Sequence, residues 1–183
     1  RATSVCLMVE IAGADLFPVD IGMATDVSAV TKPEYKVMSG TKDMLLEPAM
    51  TREQAAQAVL TGIVVVEKLA GQGYDLLATG EMGIGNTTTS SAVAAVLLEK
   101  DAAEVTGRGA GLSSEGLNRK VDVIRRSIEL HHPDKEDVLD VLSKVGGLDI
   151  AGLAGAFLGG ALYHVPVIID GFISSVAALC AAK

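Results

Sequence analysis

The sequence predicts an α/β protein: a three-layer, Rossmann-like parallel sheet with helices on both faces, plus a small helical segment at 113–145. Three observations carry this. Helix, apolar strand, glycine turn and helix follow one another through 51–98. A second apolar run, Val165-Pro166-Val167-Ile168-Ile169-Asp170-Gly171-Phe172, repeats the strand-to-helix order near the far end. The 183 residues, 49% of them hydrophobic, are enough for one packed core, so a single α/β domain over 1–183 is expected.

The chain opens in Ser4-Val5-Cys6-Leu7-Met8-Val9-Glu10-Ile11-Ala12, a helical stretch stopped by Gly13. Arg1 stands where no methionine begins the chain, and the far end stops inside a helical run, so both ends are expected to be cuts in a longer protein. Residues 15–22 read as a strand in which Pro18 removes one ladder donor, which suggests an edge or an irregular end. The polar connection 23–50 has the composition of a surface loop, and connections of this length in compact domains are usually functional or mobile. Within it, Ser39-Gly40-Thr41-Lys42 resembles a P-loop tail, but the leading glycine and the following apolar helix are missing, which argues against ATP binding.

Thr51 and Gln54 have capping-box spacing and open a helix whose apolar residues Ala55, Val59, Ile63, Val66 and Leu69 recur at helical intervals. Gly71 and Gly73 end it. The chain then enters Tyr74-Asp75-Leu76-Leu77-Ala78-Thr79, apolar enough for a buried parallel strand, and turns through Gly80-Glu81-Met82-Gly83-Ile84-Gly85. Three glycines in six residues allow a sharp turn and a close backbone approach to a ligand. Asn86, Thr87 and Thr88 are each suited to cap the helix that follows, and Glu81 is the one charged group of the turn. Ligands in parallel sheets bind beyond the carboxyl ends of the strands, where this turn lies. The competing reading is a tight strand-to-helix turn with no ligand. As a dinucleotide fingerprint the turn fails, because Gly80-x-x-Gly83-x-Gly85 reverses the G-x-G-x-x-G order.

A second glycine stretch, Gly107-Arg108-Gly109-Ala110-Gly111, precedes a helix carrying Lys120, Val123, Ile124 and Ile128. Backbone N–H groups and a lysine there suit an anion, while a flexible connector with a solvated lysine is the alternative. His131-His132-Pro133 ends that helix; adjacent histidines do not share a helical face, so compensation of the helix C-terminus is expected rather than metal binding. Residues 134–142 read as another helix. Gly152, Gly155, Gly159 and Gly160 then recur at near-helical spacing, which predicts a helix packed unusually close to a neighbour. Asp170 closes the last strand, where it either caps the helix over 174–182 or faces a ligand.

Composition removes whole classes of function. A net charge of −8, from 23 acidic and 15 basic residues, argues against gripping nucleic acid or an anionic membrane. No apolar run reaches the ~20 residues of a membrane span. Aromatics are 3% with no Trp, which disfavours base stacking. Cys6 and Cys180 form neither a disulfide framework nor a zinc spacing, and a reducing cytoplasm fits.

Several of these stretches, in order, resemble one family. Residues 80–89, GEMGIGNTTT, resemble the GE-[ML]-G-x-x-NTT segment of nicotinate-nucleotide:dimethylbenzimidazole phosphoribosyltransferases, which make the lower-ligand nucleotide of cobalamin. The second glycine stretch is similar to that family's G-x-G-A-x-L, and Lys120-Val121-Asp122-Val123-Ile124-Arg125-Arg126 to its lysine followed by [IV]-D-V-[IV]-R-R. Lys144-Val145-Gly146-Gly147-Leu148-Asp149 resembles K-[VI]-GG-x-[DE], and 166–174 resembles PV-x-x-DGF-[IL]-S. The resemblance runs along essentially the whole chain but covers only the middle of the family's length.

The resemblance implies phosphoribosyl transfer from nicotinate mononucleotide to 5,6-dimethylbenzimidazole, giving alpha-ribazole 5′-phosphate and nicotinate, by a cytoplasmic homodimer without metal or cofactor. It implies phosphate contacts at Gly83, Gly109 and Lys120, substrate contacts at Asn86 and Thr87, Glu81 beside the ribose, and a ligand-facing Asp170. The transfer breaks a C–N glycosidic bond through a cation-like ribosyl centre, so it needs an anion cradle, carboxylates near the ribose and a general base near the azole. The family's base is a glutamate in a G-E-G-S/T-G-A element beyond the DGF segment. No such element occurs before Lys183, so no catalytic residue is assigned in this chain and the base is expected further on. Two alternatives stay open: a non-catalytic nucleotide-binding fragment, and an NAD-dependent oxidoreductase domain.

Overall fold

The computed structural model describes residues 3–27, 29, 31–109 and 111–183; Arg1, at the start of the chain, and Ala110, in the second glycine stretch, lie outside the described residues. Helices dominate, and a two-stranded parallel sheet completes an α/β arrangement.

Helix α1 spans Ser4–Ala12 and ends where Gly13 takes φ 65°, as the sequence expects. None of its residues is buried, and Ile11 is 88% exposed. Helix α2, Arg52–Gly71, starts at the anticipated capping box: Gln54 N–H donates to Thr51 Oγ1 at 3.2 Å and Thr51 N–H to Gln54 Oε1 at 2.9 Å. It lies against helix α7, Leu148–Tyr163, and glycine makes that contact possible. A Cβ on Gly62 would run into Gly152 O, one on Gly155 into Val59 O, and one on Gly159 would stand 2.9 Å from Val66 Cβ. The recurrent small residues of α7 therefore do what their spacing predicts, bringing two backbones together more closely than any side chain allows.

Helix α3, Asn86–Leu97, is the central element. Ser90, Ser91, Ala92, Val93, Ala95 and Leu97 are buried on nearly all its faces, the pattern of a helix enclosed by others. Helices α5 (Ser114–His131), α6 (Val138–Val145) and α8 (Phe172–Ala182) surround it, contributing Ile124, Val141, Leu142, Val176 and Ala177 to the core. A four-residue helix α4, Ala102–Val105, is an addition to the elements the sequence predicts. Asp101 caps it by accepting from Ala103 N–H at 2.9 Å and is itself held by Arg125 on α5.

Three expectations are corrected. Residues 15–22 do not form a strand: with Pro18 lacking a donor, the stretch finds loop partners, Val37 N–H to Ile21 O at 3.0 Å and Gly40 N–H to Gly22 O at 2.9 Å. The buried Asp20 carboxylate clamps it, accepting from Met23 N–H at 2.7 Å and pairing with Lys36 at 3.1 Å. The two remaining strands are short, β1 Leu77–Ala78 and β2 Val167–Ile168, paired in parallel with Leu77 opposite Val167 and Ala78 opposite Ile168. Helix α6 begins at Val138 rather than 134, because Asp137 is the residue whose side chain accepts from Asp140 N–H.

Among the described residues no helix is long and apolar enough to cross a membrane.

Candidate functional site

Parallel pairing puts the carboxyl ends of β1 and β2 on one edge, and the glycine turn leaves β1 there. Thr79 ties the departing chain to β2 through both its N–H, 3.2 Å, and its hydroxyl, 2.9 Å, each donating to Ile168 O. Gly85, at φ 89°, then swings the chain into α3, a conformation that favours glycine.

Asn86, the first residue of α3, is buried to 8% exposure and organises the turn. Its Nδ2 donates one hydrogen bond to Glu81 Oε2 and one to Asp149 Oδ2 at 2.8 Å, so both amide hydrogens are held by carboxylates. Glu81 lies exposed on the turn, while Asp149 is half-buried on the first turn of α7. Gly83 lies against the Asn86–Asp149 pair: a Cβ there would sit 2.5 Å from Asn86 Nδ2 and closer still to Asp149 Oδ2. Lack of a side chain at Gly83 is thus required by the carboxylate-amide cluster itself.

One residue along α3, Thr87 belongs to a second group. Lys120, on α5, is 7% exposed, and its Nζ donates to Thr87 Oγ1 at 2.9 Å and to Gly107 O at 3.3 Å. Burial lowers its pKa from the ordinary 10.5. Among the described residues no carboxylate lies within ion-pair distance of it. Gly109, at φ 58°, folds the glycine stretch back so that a Cβ there would stand 3.2 Å from Thr87 Oγ1. A buried ammonium with neutral partners is a place that favours an incoming anion, since an unpaired buried charge is costly.

Asp170 stands at the end of β2, exposed, and its carboxylate makes no hydrogen bond or ion pair among the described residues. It does not cap α8; Ser174 Oγ does, accepting from the N–H groups of Asp170 and Gly171 at 2.9 Å each. Six of the seven residues singled out by sequence therefore fall into two groups, Glu81–Asn86 with Gly83 alongside and Thr87–Lys120 with Gly109 alongside, joined through successive residues of α3. Asp170 shares only their edge of the sheet. His131 is elsewhere, its Nε2 2.8 Å from Met44 O, while His132 takes φ 43° to end α5. Among the described residues no three His, Cys, Asp or Glu side chains gather as metal ligands.

Sequence reasoning missed Asp149. It was legible only as the last residue of Lys144-Val145-Gly146-Gly147-Leu148-Asp149; an acid that follows two glycines and opens a helix is ordinarily read as a cap. It is not the cap of α7, which Gly147 precedes without any side-chain cap; its Oδ1 accepts from the neighbouring Ile150 N–H at 3.0 Å, and its other oxygen reaches 63 residues back to Asn86.

The family model described as phosphoribosyltransferase matches residues 1–183. The nicotinate-nucleotide–dimethylbenzimidazole phosphoribosyltransferase of Acetivibrio thermocellus is 52% identical over 171 residues, covering 93% of this chain and 49% of its own. That of Roseiflexus castenholzii is 54% identical over 170 residues, 92% of this chain and 48% of its own. The crystal structure of CobT from Thermus thermophilus superposes with a TM-score of 0.90 at 34% identity, over 98% of this chain and 54% of that one. The chain spans about half the length of the curated relatives it matches. By family model, sequence identity and fold together, it belongs to the nicotinate-nucleotide–dimethylbenzimidazole phosphoribosyltransferase family.

Proposed function

We propose that this chain forms the nucleotide-holding part of an enzyme that transfers phosphoribose from nicotinate mononucleotide to 5,6-dimethylbenzimidazole, yielding alpha-ribazole 5′-phosphate and nicotinate for cobalamin synthesis. One observation carries the reading: a buried lysine amine, Lys120, faces Thr87 and the Gly109 turn with no carboxylate among the described residues to neutralise it. A 5′-phosphate supplies that missing charge. The Lys120 amine has three hydrogens and gives two to Thr87 and Gly107, so one is left for a phosphate oxygen.

With the phosphate there, the ribose extends toward the start of α3, where Asn86 holds Glu81. The nicotinate ring already carries a positive charge as leaving group, and the ribosyl centre becomes cation-like as the C–N bond stretches. Glu81 and Asp170, carboxylates on one edge of the sheet, supply the negative potential that favours this charge. Gly83 contributes a backbone approach as well as space for Asn86 and Asp149. These 183 residues contain no G-E-G-S/T-G-A element, so removal of the azole proton is assigned to none of them.

The same reading extends to the whole protein: a single domain over 1–183 with a helical sub-segment at 113–145, whose two strands join a larger three-layer parallel sheet. The exposed apolar edge residues Leu76, Ile168 and Ile169 suit such an extension. It also makes the protein a cytoplasmic homodimer acting on small molecules, without nucleic acid, membrane or cofactor.

The test combines calorimetric titration of nicotinate mononucleotide with chromatographic assay of the ribotide in the complete protein. Binding and turnover support the proposal; binding without turnover supports a non-catalytic nucleotide-binding role; no binding removes both.

A further inference from the structure

Glu81 occupies an exposed turn outside helix and sheet, yet the proposed chemistry asks it to hold one position beside a reacting ribose. Its side-chain tether is Asn86 Nδ2. A terminal amide turns readily about its last torsion, which is broad and roughly two-fold, so Asn86 alone does not specify where its N–H groups point. Asp149 does. With Oδ2 accepting from Asn86 Nδ2 at 2.8 Å, the nitrogen must face both carboxylates; the flipped amide would set its own oxygen against two negative groups.

Asp149 is itself fixed on both oxygens. Oδ1 accepts from Ile150 N–H at 3.0 Å at the start of α7, and a Cβ on Gly147 would lie 2.7 Å from that oxygen, while Gly83 leaves room for the other. Helix α7 in turn is locked to α2 through Gly155 against Val59 O and Gly152 against Gly62. A continuous path thus runs from this close helix contact, through Asp149 and Asn86, to the exposed Glu81 carboxylate.

We propose that Asp149 is a positioning residue for Glu81, acting through the Asn86 amide. This rests on the reading that Glu81 serves the ribosyl centre. In the complete protein, Asp149→Ala is expected to lower kcat on the order of 10- to 100-fold, as misplacement of a positioned group does, while KM for nicotinate mononucleotide stays within about twofold. Glu81→Gln lowers kcat as well. In the double variant Asp149→Ala/Glu81→Gln, kcat is expected to stay within about twofold of Glu81→Gln alone, since an anchor matters only while its cargo is present.

Crystal structures of the wild type and of Asp149→Ala in one crystal form give a readout independent of turnover, and Asp149→Leu, similar in shape but without an acceptor, replaces Asp149→Ala in both arms if that variant fails to fold. Displacement of the Glu81 carboxylate supports the proposal; a Glu81 still bonded to Asn86 in its original place overturns it. Wild-type kcat in the Asp149 variant, or losses that multiply in the double variant, also overturn it while leaving the enzymatic reading intact. A wild-type protein that makes no ribotide overturns the enzymatic reading and with it the kinetic consequence, and the crystal comparison still decides whether Asp149 holds Glu81.

Discussion

The Lys120 amine reaches across 2.9 Å to the Thr87 hydroxyl and so ties the middle of α5 to the first turn of α3, where that central helix leaves the glycine turn. Lys120→Ala removes the charge and leaves the buried space of its side chain empty, so the variant is first checked for folding. Affinity for nicotinate mononucleotide should fall by about 1.5–3 kcal/mol, the range of a hydrogen bond to a charged group, and calorimetry measures it. An unchanged dissociation constant in a folded variant would remove Lys120 from the site.

Burial of the same amine predicts a pH dependence with a definite sign. Its folded pKa lies below the unfolded 10.5, so between the two values the unfolded chain binds more protons. Stability contributed by this group therefore rises with pH across that window and levels off above 10.5. Urea unfolding at a series of alkaline pH values, with Lys120→Met subtracted as the reference, reports it. A bound phosphate analogue should flatten the slope, because an anion favours the charged form.

Glu81 is exposed and bonded to a single side chain, so Glu81→Gln should shift unfolding free energy by no more than about 0.5 kcal/mol, as surface changes do. Ribotide formation by the complete protein should fall far more. Normal turnover with a large loss of melting temperature would identify Glu81 as a structural carboxylate.

Two glycines that look alike in sequence should respond oppositely to alanine. Gly155→Ala drives a Cβ into Val59 O at the α2–α7 contact, and overpacking against backbone costs about 1–3 kcal/mol. Gly71 closes α2 with open space where a Cβ would go and no left-handed φ, so Gly71→Ala should stabilise by about 0.4–1 kcal/mol through the unfolded state. Thermal melts of the two variants give both signs.

The thiols should separate by reactivity. Cys180 is buried in the core and its pKa is pushed up to about 12, whereas Cys6 lies half-exposed on α1. A thiol-disulfide reagent at mildly alkaline pH should label Cys6 rapidly and Cys180 only on unfolding. Equal rates would mean that the face of α8 carrying Cys180 opens readily.

Signals that act over a few residues were readable from the chain itself. Thr51 and Gln54 announce the start of α2 because a capping box closes within three residues, Gly13 ends α1 by adopting a left-handed φ, and the glycine rhythm of 152–160 foretells close helix packing because small residues have no other common reason to recur at that interval. Residues 80–89 and 120–126 carry the family resemblance in their sequence alone. What the chain did not declare is whatever depends on a distant partner. Residues 15–22 have strand-like composition, but a strand exists only by pairing, and here the partners are the loop residues Val37 and Gly40. The runs at 74–79 and 165–172 kept only two ladder residues each for the same reason. Asp149 looks in its own neighbourhood like an ordinary acid of a first helical turn, and only the tertiary fold, which brings the start of α7 to the start of α3, turns its second oxygen toward Asn86 and, through it, toward Glu81.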